Sequence, residues 1–318
     1  MSGRATPPMC GTFHPRRGRR GSFPCLAAVC VPGSAVILGV HASVRRGLLE
    51  SLSEAGPLGV KAVQILPYQR HHIPGQEELA RFREARKRTA ISRLIVHSRF
   101  VPSLGSRDAE RRRRSVELLS RELAIAAALG AESYVLHAGA YSPGDDSASA
   151  ESLLTQAIRE AVLTAESALP ILLENVPGGG RRMGATLEEL ARILESLQRL
   201  SISCGLCLDT AHAWAAGYDL ASAGGLASFM DHAESLVGAA VIRLFHLNDT
   251  RAPLGSHLEN HWHWGQGRLS EGTGIAALLS RSGYENVAAI LETPKESGAD
   301  GRNLAYVRGL SKRSAAGR

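Results

Sequence analysis

The chain has 318 residues, of which 44% are hydrophobic, and carries a formal charge of +7 at pH 7. This length is enough for one (β/α)8 barrel of roughly 250 residues with tails, and no apolar run reaches the roughly 18 residues that span a bilayer, which argues against membrane insertion. The cysteines number five, which does not suit a disulfide framework, so we expect a reducing, cytoplasmic location.

The positive charge is concentrated at the two ends of the chain. Residues 1–33 contain five arginines and no acidic residue, and residues 308–318 contain four basic residues and no acidic residue. Without these nine charges the middle of the chain carries 7 − 9 = −2. The composition of 1–33 predicts a disordered basic extension, and that of 308–318 a flexible basic tail. The net charge therefore gives no support for nucleic-acid binding by the domain predicted at residues 34–307.

Short apolar runs alternate with helix-like segments along the middle of the chain. The segments 107–129 and 149–168 are two of the predicted helices, and Gly130 is placed to end the first of them. The apolar runs lie at approximately 35–40, 61–66, 93–97, 133–137, 170–174, 204–209, 241–246 and 288–292. Alternation of strands and helices indicates a parallel sheet. Eight repeats predict an α/β fold, namely a single-domain (β/α)8 TIM barrel.

Six consecutive predicted strands end in a side chain that can bind a metal ion. In a β/α barrel the carboxyl ends of all strands meet at one face, so side chains at these ends are expected to gather there. Unpaired carboxylates would be costly to bury, and nearby cations would offset that cost. The strand-end residues are His97, His137, Glu174, Asp209, His246 and Glu292, and the adjoining loops add His212, Glu259 and His261.

The chemistry of these donors restricts the metal. Imidazole and carboxylate groups without thiolate suit zinc, manganese or iron, and nine donors are too many for one ion, so a cluster of two or three is predicted. A lone histidine at a strand end is more often a hydrogen-bonded structural residue, but six consecutive strand ends favour metal binding. Cys204 and Cys207 are not expected to share a zinc ion, because side chains three apart on a strand face opposite ways.

Six segments of the chain carry a family signature. The two longest are residues 205–219, GLCLDTAHAWAAGYD, and residues 245–267, FHLNDTRAPLGSHLENHWHWGQG. The shorter ones are GVHAS at 39–43, YVLHAGAY at 134–141, ILLENVPGGG at 171–180 and ILETP at 290–294. In order and spacing they resemble the endonuclease IV family (apurinic/apyrimidinic endonuclease family 2, xylose-isomerase-like TIM barrels). The resemblance covers roughly residues 34–295.

The resemblance implies a zinc-dependent enzyme of base-excision repair that cuts duplex DNA 5′ to abasic sites. It implies three Zn²⁺ ions, with Mn²⁺ as an alternative at one or more sites, and a protein that works as a monomer. Glu174 would be catalytic as a bridge between two ions, Glu292 would assist in activating the attacking water, and Arg70 would contact DNA. The implied ligand groups are His97, His137 and Glu174; Glu174, Asp209, His246 and Glu292; and His212, Glu259 and His261.

Positions around the ligands partly depart from the family pattern. Asp249 follows His246 by three residues and is predicted to accept a hydrogen bond from that imidazole, and His41 is predicted to have a supporting role. Glu259 stands where the family normally has Asp. Two further departures would face DNA, namely Asn260, where a cation is lost, and Phe100, where a tyrosine hydroxyl is lost.

The alternative function is that of a metal-dependent sugar isomerase or epimerase with the same barrel. Enzymes of that group use one metal ion and paired carboxylates that also move a proton. The remaining donors favour the endonuclease, because a sugar isomerase has no need for them. The four residues that alone resemble the one-metal set are Glu174, Asp209, His246 and Glu292.

Overall fold

The computed structural model describes residues 36–144 and 146–316. The basic extension predicted at residues 1–33 lies outside the described residues. Across the described ranges, none of the helices is both long enough and apolar enough to cross a lipid bilayer.

Eight parallel strands form a closed barrel in sequence order, with the first strand paired to the last. This confirms the predicted (β/α)8 TIM barrel, and the predicted runs differ from the observed strands by no more than a residue or two at either end. The strands are β1 (Ile37–His41), β2 (Ala62–Ile65), β3 (Arg93–His97), β4 (Ser133–His137), β5 (Ile171–Glu174), β6 (Cys204–Asp209), β7 (Ile242–His246) and β8 (Ala288–Leu291).

Helices follow the strands, as the alternation of the sequence requires. The α-helices of the described residues are α1 (Leu48–Ala55), α2 (Gln76–Lys87), α3 (Ala109–Leu129), α4 (Ser147–Thr164), α5 (Leu187–Arg199), α6 (Thr210–Ala216), α7 (Ala223–Val237), α8 (Gly274–Ser280) and α9 (Ala299–Ala316). Short 3₁₀ turns occur at Gly56–Leu58, Ala239–Val241 and Arg268–Glu271. The boundary predicted at residue 307, between the domain and the basic tail, lies inside helix α9. The helix continues past it to Ala316.

The hydrophobic core has two layers, one inside the barrel and one between the strands and the helices. The two cysteines of β6 show how the strand separates them: Cys207 belongs to the inner layer and Cys204 to the outer layer. Side chains of a strand alternate between faces, which explains this separation and confirms that the pair does not face one site. The inner layer consists of Ala62, Ile95, Val135, Leu172, Cys207, Leu244, Ala288 and Ile290.

Both ends of α3 have recognisable signals. Asp108 caps the start of the helix, where its carboxylate accepts hydrogen bonds from the N–H groups of Glu110 and Arg111. Gly130 ends it in a left-handed conformation, with φ of 74°, as predicted. The adjacent basic run is paired on the surface, since Glu110 accepts hydrogen bonds from both Arg113 and Arg114.

Candidate metal centre

The barrel delivers the predicted donors to one place. Five of the strand-end residues are the last residues of β3 to β7, and Glu292 follows β8 directly. Asp209 and His246 are fully buried at the base of the cluster. The other donors line a cavity of about 440 Å³ at the carboxyl ends of the strands, and they are His97, His137, Glu174, His212, Glu259, His261 and Glu292.

Glu174 lies at the centre of the cluster, and its side chain is only 1% exposed. Its Oε2 atom lies 3.0 Å from Nε2 of His97 and 2.9 Å from Nε2 of His137. Its Oε1 atom lies 2.9 Å from Nδ1 of His246 and 3.3 Å from Nδ1 of His212. The two oxygens of one carboxylate therefore face different histidines, which is the arrangement expected of a bridging ligand.

A second group surrounds the inner ring nitrogen of His246. Its Nδ1 atom lies 3.3 Å from Oε2 of Glu292 and 3.9 Å from Oδ2 of Asp209. With Glu174, these side chains offer four ligand atoms that all lie within 4.8 Å of one another. The Glu292 side chain is 13% exposed, so it is the member of this group that most readily reaches solvent.

A third group lies beside α6. Ligand atoms of Asp209, His212 and His261 all lie within 4.8 Å of one another. Glu259 joins them, since its Oε1 atom is 2.5 Å from Nε2 of His212 and 3.6 Å from Nε2 of His261. The Glu259 side chain is 51% exposed, so this group opens to solvent more than the others. Asp209 contributes to this group as well as to the second one.

The hydrogen bonds on the outer side of the histidines fit metal binding. His97 donates from Nδ1 to the carbonyl of Ser98 at 2.8 Å, and His212 donates from Nδ1 to the carbonyl of Asn175 at 2.8 Å. These bonds hold a proton on Nδ1, so Nε2 is the nitrogen that would bind a cation in the cluster. Metal-binding histidines are commonly oriented in this way. The donor set of imidazole and buried carboxylate therefore fits divalent cations.

Mutual attraction of the buried charges shifts their pKa values in opposite directions. Burial alone would lower the pKa of His97, but its hydrogen bond to Glu174 and the charge of that carboxylate outweigh burial and raise the pKa to about 9. Burial would also lower the pKa of His261, but the charge of Asp209 and its hydrogen bond to the ring outweigh burial and raise that pKa to about 9. Burial alone would raise the pKa of Glu174, but the charges of His246 and His137 hold it well below its usual range. Protons thus occupy positions where cations would be favoured.

This charge pattern predicts how the metal-free protein responds to pH. A histidine with a folded-state pKa above the unfolded value stabilises the fold fully below the unfolded pKa of about 6.5, and that contribution is lost as the pH rises to the folded value. For His97 and His261 the folded value is about 9. We therefore expect the urea midpoint of the chelator-treated protein to fall between pH 6.5 and 9. The fall in the midpoint should be smaller in His97→Gln than in the wild type. In the control His232→Gln it should be as large as in the wild type, because His232 is a surface histidine beside Glu188. A midpoint that rises over this range would contradict the prediction.

Asp249 does not orient His246, so that prediction is wrong. Its buried carboxylate accepts hydrogen bonds from the N–H groups of Gly267 at 3.0 Å and Leu269 at 2.9 Å, and from the hydroxyl of Ser270. The outer nitrogen of His246 instead donates to Oε1 of Gln64 on β2, at 2.8 Å. Asp249 therefore organises the long loop after β7, which carries two donors of the third group.

Loss of the Asp249 carboxylate should loosen that loop. We expect Asp249→Ala to lower the free energy of unfolding by about 2–4 kcal/mol, because buried N–H groups lose their acceptor, and to reduce the zinc content of the chain. Asp219→Ala is the matched control, since Asp219 accepts from the N–H of Ala221 on the exposed surface. We expect that control to stay within about 1 kcal/mol of the wild type. Equal losses in both variants, measured by urea unfolding, would refute the special role of Asp249.

Two asparagines that the sequence analysis did not single out also hold the donors. Asn175 follows Glu174 directly, accepts a hydrogen bond from the N–H of Asp209 at 2.6 Å and donates to its carbonyl at 3.0 Å. Asn248 donates to Oδ2 of Asp209 at 2.6 Å and accepts from the N–H of Glu292 at 2.8 Å. Both lie one or two residues after a donor, which is the signal that could have found them.

A second cavity, of about 800 Å³, lies beside the metal centre and shares His41 with it. Arg70 is exposed and lines this cavity together with Arg45, Arg99 and Lys295, and no acidic side chain of the described residues lines it. Of the two predicted departures near DNA, Phe100 is 54% exposed beside Arg99. Asn260 is partly buried, and its Oδ1 atom accepts from the N–H of Arg251 at 2.8 Å.

A closed barrel with histidines and carboxylates gathered at the carboxyl ends of its strands defines the class of xylose isomerase-like TIM barrels, and residues 52–312 match the sequence model of that class. The chain is 33% identical over 281 residues to the probable endonuclease 4 of Solibacter usitatus, a match covering 86% of this chain and 96% of that relative. It belongs to the endonuclease IV family. The crystal structure of endonuclease IV from Thermus thermophilus superimposes with a TM-score of 0.75 at 30% identity, covering 87% of this chain and 99% of that one.

The fold is also shared more widely. A D-tagatose 3-epimerase-like protein superimposes with a TM-score of 0.65 at 21% identity, covering 87% of this chain and 98% of that one. At this identity the similarity shows a common barrel and says nothing of a common substrate.

Proposed function

We propose that this protein is a zinc-dependent apurinic/apyrimidinic endonuclease that hydrolyses the phosphodiester bond 5′ to abasic sites in duplex DNA, as a step of base-excision repair. Family membership supports the reaction class. The observation that carries the proposal is that two donors beyond the one-metal set, His97 and His137, converge on one oxygen of Glu174, while His246 of that set faces the other oxygen. We assign the activity to the domain at residues 34–307, acting as a monomer.

Three ions would be held by the groups around the buried carboxylates. The ligands would be His97, His137 and Glu174 for the first ion; Glu174, Asp209, His246 and Glu292 for the second; and His212, Glu259 and His261 for the third, with Asp209 also near the third. When bound, zinc supplies positive charge that lowers the pKa of water and neutralises phosphate oxygens. Mn²⁺ suits the same donors and would replace Zn²⁺ at one or more sites.

The carboxylates would then have separate catalytic roles. Glu174, facing histidines with both oxygens, fixes the spacing of the first two ligand groups. Glu292 lines the cavity and is partly exposed, so it would accept a proton from the attacking water. Asp209 is fully buried and would act as a metal ligand without taking part in proton transfer.

DNA would lie along the basic cavity beside the metal centre. Arg45, Arg70 and Arg99 line that cavity, and their charges would attract the phosphate backbone. Arg70 is the residue we assign to DNA contact near the lesion. The net charge of the domain does not argue against this DNA contact, because the basic side chains are concentrated in one cavity.

The test is incubation of the protein with a synthetic duplex that contains one abasic site, with and without a chelator. We expect incision 5′ to the abasic site that stops with the chelator and returns on adding zinc, and no incision of the undamaged duplex. The runner-up function is that of a metal-dependent sugar epimerase or isomerase, which the second ligand group alone would support. One bound ion per chain, no incision and turnover of a ketose would favour that function instead.

A further inference from the structure

The ligand-bearing strands are β3 to β8, and the remaining two strands present other polar side chains to the same centre. These are His41 at the end of β1 and Gln64 on β2, which lie side by side in the register of the two strands. The Gln64 side chain is fully buried in the barrel mouth. A buried amide must find hydrogen-bond partners to offset its desolvation, so its contacts identify what it does.

Every hydrogen-bonding group of the Gln64 amide is used towards the metal centre. Its Oε1 atom accepts from Nε2 of His246 at 2.8 Å. Its Nε2 atom donates to Oε1 of Glu292 at 2.6 Å and to Nδ1 of His41 at 3.0 Å. One neutral side chain on β2 therefore binds two donors of the second ligand group, one at the end of β7 and one just after β8.

The orientation of this amide follows from the charge of Glu292. In the reversed orientation the amide oxygen would face the carboxylate oxygen at 2.6 Å, and two acceptors would repel each other. The observed orientation has a consequence for His246. Because an amide oxygen can only accept, Nε2 of His246 must carry a proton, and Nδ1 is the ring nitrogen that faces Glu174 and Glu292 and would bind a cation there.

We propose that Gln64 is a positioning residue for one metal ion, which fixes the ring tautomer of His246 and the rotamer of Glu292 through a single amide. This inference rests on the metal binding proposed above. A neutral amide suits the position because a carboxylate there would repel Glu292, and an aliphatic side chain would leave both ligands without their outer partner. The other oxygen of Glu292 is held separately, by Asn248 at 3.3 Å.

The inference is tested with the full chain loaded with zinc alone, by following release of zinc to a colorimetric chelator. Replacement of an outer hydrogen-bond partner typically weakens metal binding about 10- to 100-fold. We expect Gln64→Leu to bind one ion of the set about 10- to 100-fold more weakly, with the other ions released as in the wild type. The visible absorption of the cobalt(II)-loaded variant should change for that one ion.

Two variants separate positioning from packing. His41→Ala removes a partner of Gln64 and a contact of 3.5 Å with Oε1 of Glu292, but it leaves both amide bonds to the ligands, so it should weaken that ion less than Gln64→Leu does. Gln64→Glu keeps the acceptor for His246 but places a carboxylate against Glu292, so it should again weaken one ion, and it serves if Gln64→Leu does not fold. Gln198→Leu, the same change on the exposed surface of α5, is the control for the substitution itself.

The outcomes distinguish this inference from the proposed function. Wild-type release of all ions from Gln64→Leu, or equal weakening of all ions together, would overturn the positioning role. A wild-type chain that binds no zinc would overturn both proposals. A wild-type chain that binds several ions but does not cut the abasic duplex would overturn the endonuclease alone, and selective weakening in Gln64→Leu would still support the positioning role.

Discussion

Replacing Glu174 with glutamine is expected to lower kcat/KM for incision of an abasic duplex by at least about 10²- to 10³-fold, the loss typical of removing one group that stabilises charge in a transition state. The amide would keep the shape of the side chain but not its charge. That charge lies between two sets of histidines, 3.0 Å from Nε2 of His97 and 2.9 Å from Nδ1 of His246. Steady-state kinetics and zinc content per chain would be measured together.

The matched control for this change is Glu234→Gln. Glu234 is a partly buried glutamate of α7 that pairs with Arg281 at 2.9 Å, away from the metal centre. We expect its activity and zinc content to equal those of the wild type. Near-normal incision by Glu174→Gln, with a full complement of zinc, would show that the bridging carboxylate is not required and would refute the proposed mechanism.

Removal of the metal is expected to destabilise the protein strongly. A ligand present at a thousand times its dissociation constant stabilises the folded state by about 4 kcal/mol, and each tightly held ion would contribute about this amount. For a domain of this size, 4 kcal/mol corresponds to a fall of about 7 °C in Tm. The physical reason is that Glu174, Asp209 and Glu292 would lose the cations that compensate their burial.

The measurement is thermal and urea unfolding of the zinc-loaded and the chelator-treated protein at one pH. The Glu174→Gln variant supplies the control, since weaker metal binding should reduce the difference between the two forms. Superimposable unfolding curves for the loaded and the treated wild type would mean that the ions do not bind preferentially to the folded state.

Much of the fold follows from the sequence because a parallel barrel imposes a simple pattern. A strand buried on both faces is a continuous apolar run, and the run at 93–97 is the whole of β3. In the last six runs the closing polar residue marks the carboxyl end of the strand. The placement of His97 and Glu174 in one cavity could therefore be predicted from topology alone.

The contacts around the donors could not be predicted in the same way. Gln64 is a polar residue inside an apolar run, and its role depends on barrel closure, which brings β2 within reach of His246 on β7. The prediction for Asp249 rested on its closeness to His246 in sequence. The chain turns after β7, however, and carries the Asp249 carboxylate towards the N–H of Gly267 rather than back to the ring.

The carboxylate of Asp209 also determines where a helix begins. Its Oδ1 atom accepts a hydrogen bond from the N–H of His212 at 2.8 Å and thereby caps the first turn of α6, while Oδ2 lies 3.4 Å from Nε2 of His261. The three-residue spacing from Asp209 to His212 is the spacing from an N-cap to the third helical residue. The spacing of Asp209 and His212 therefore satisfies helix capping as well as the placement of two metal donors. A substitution that shifts the start of α6 would also displace a donor.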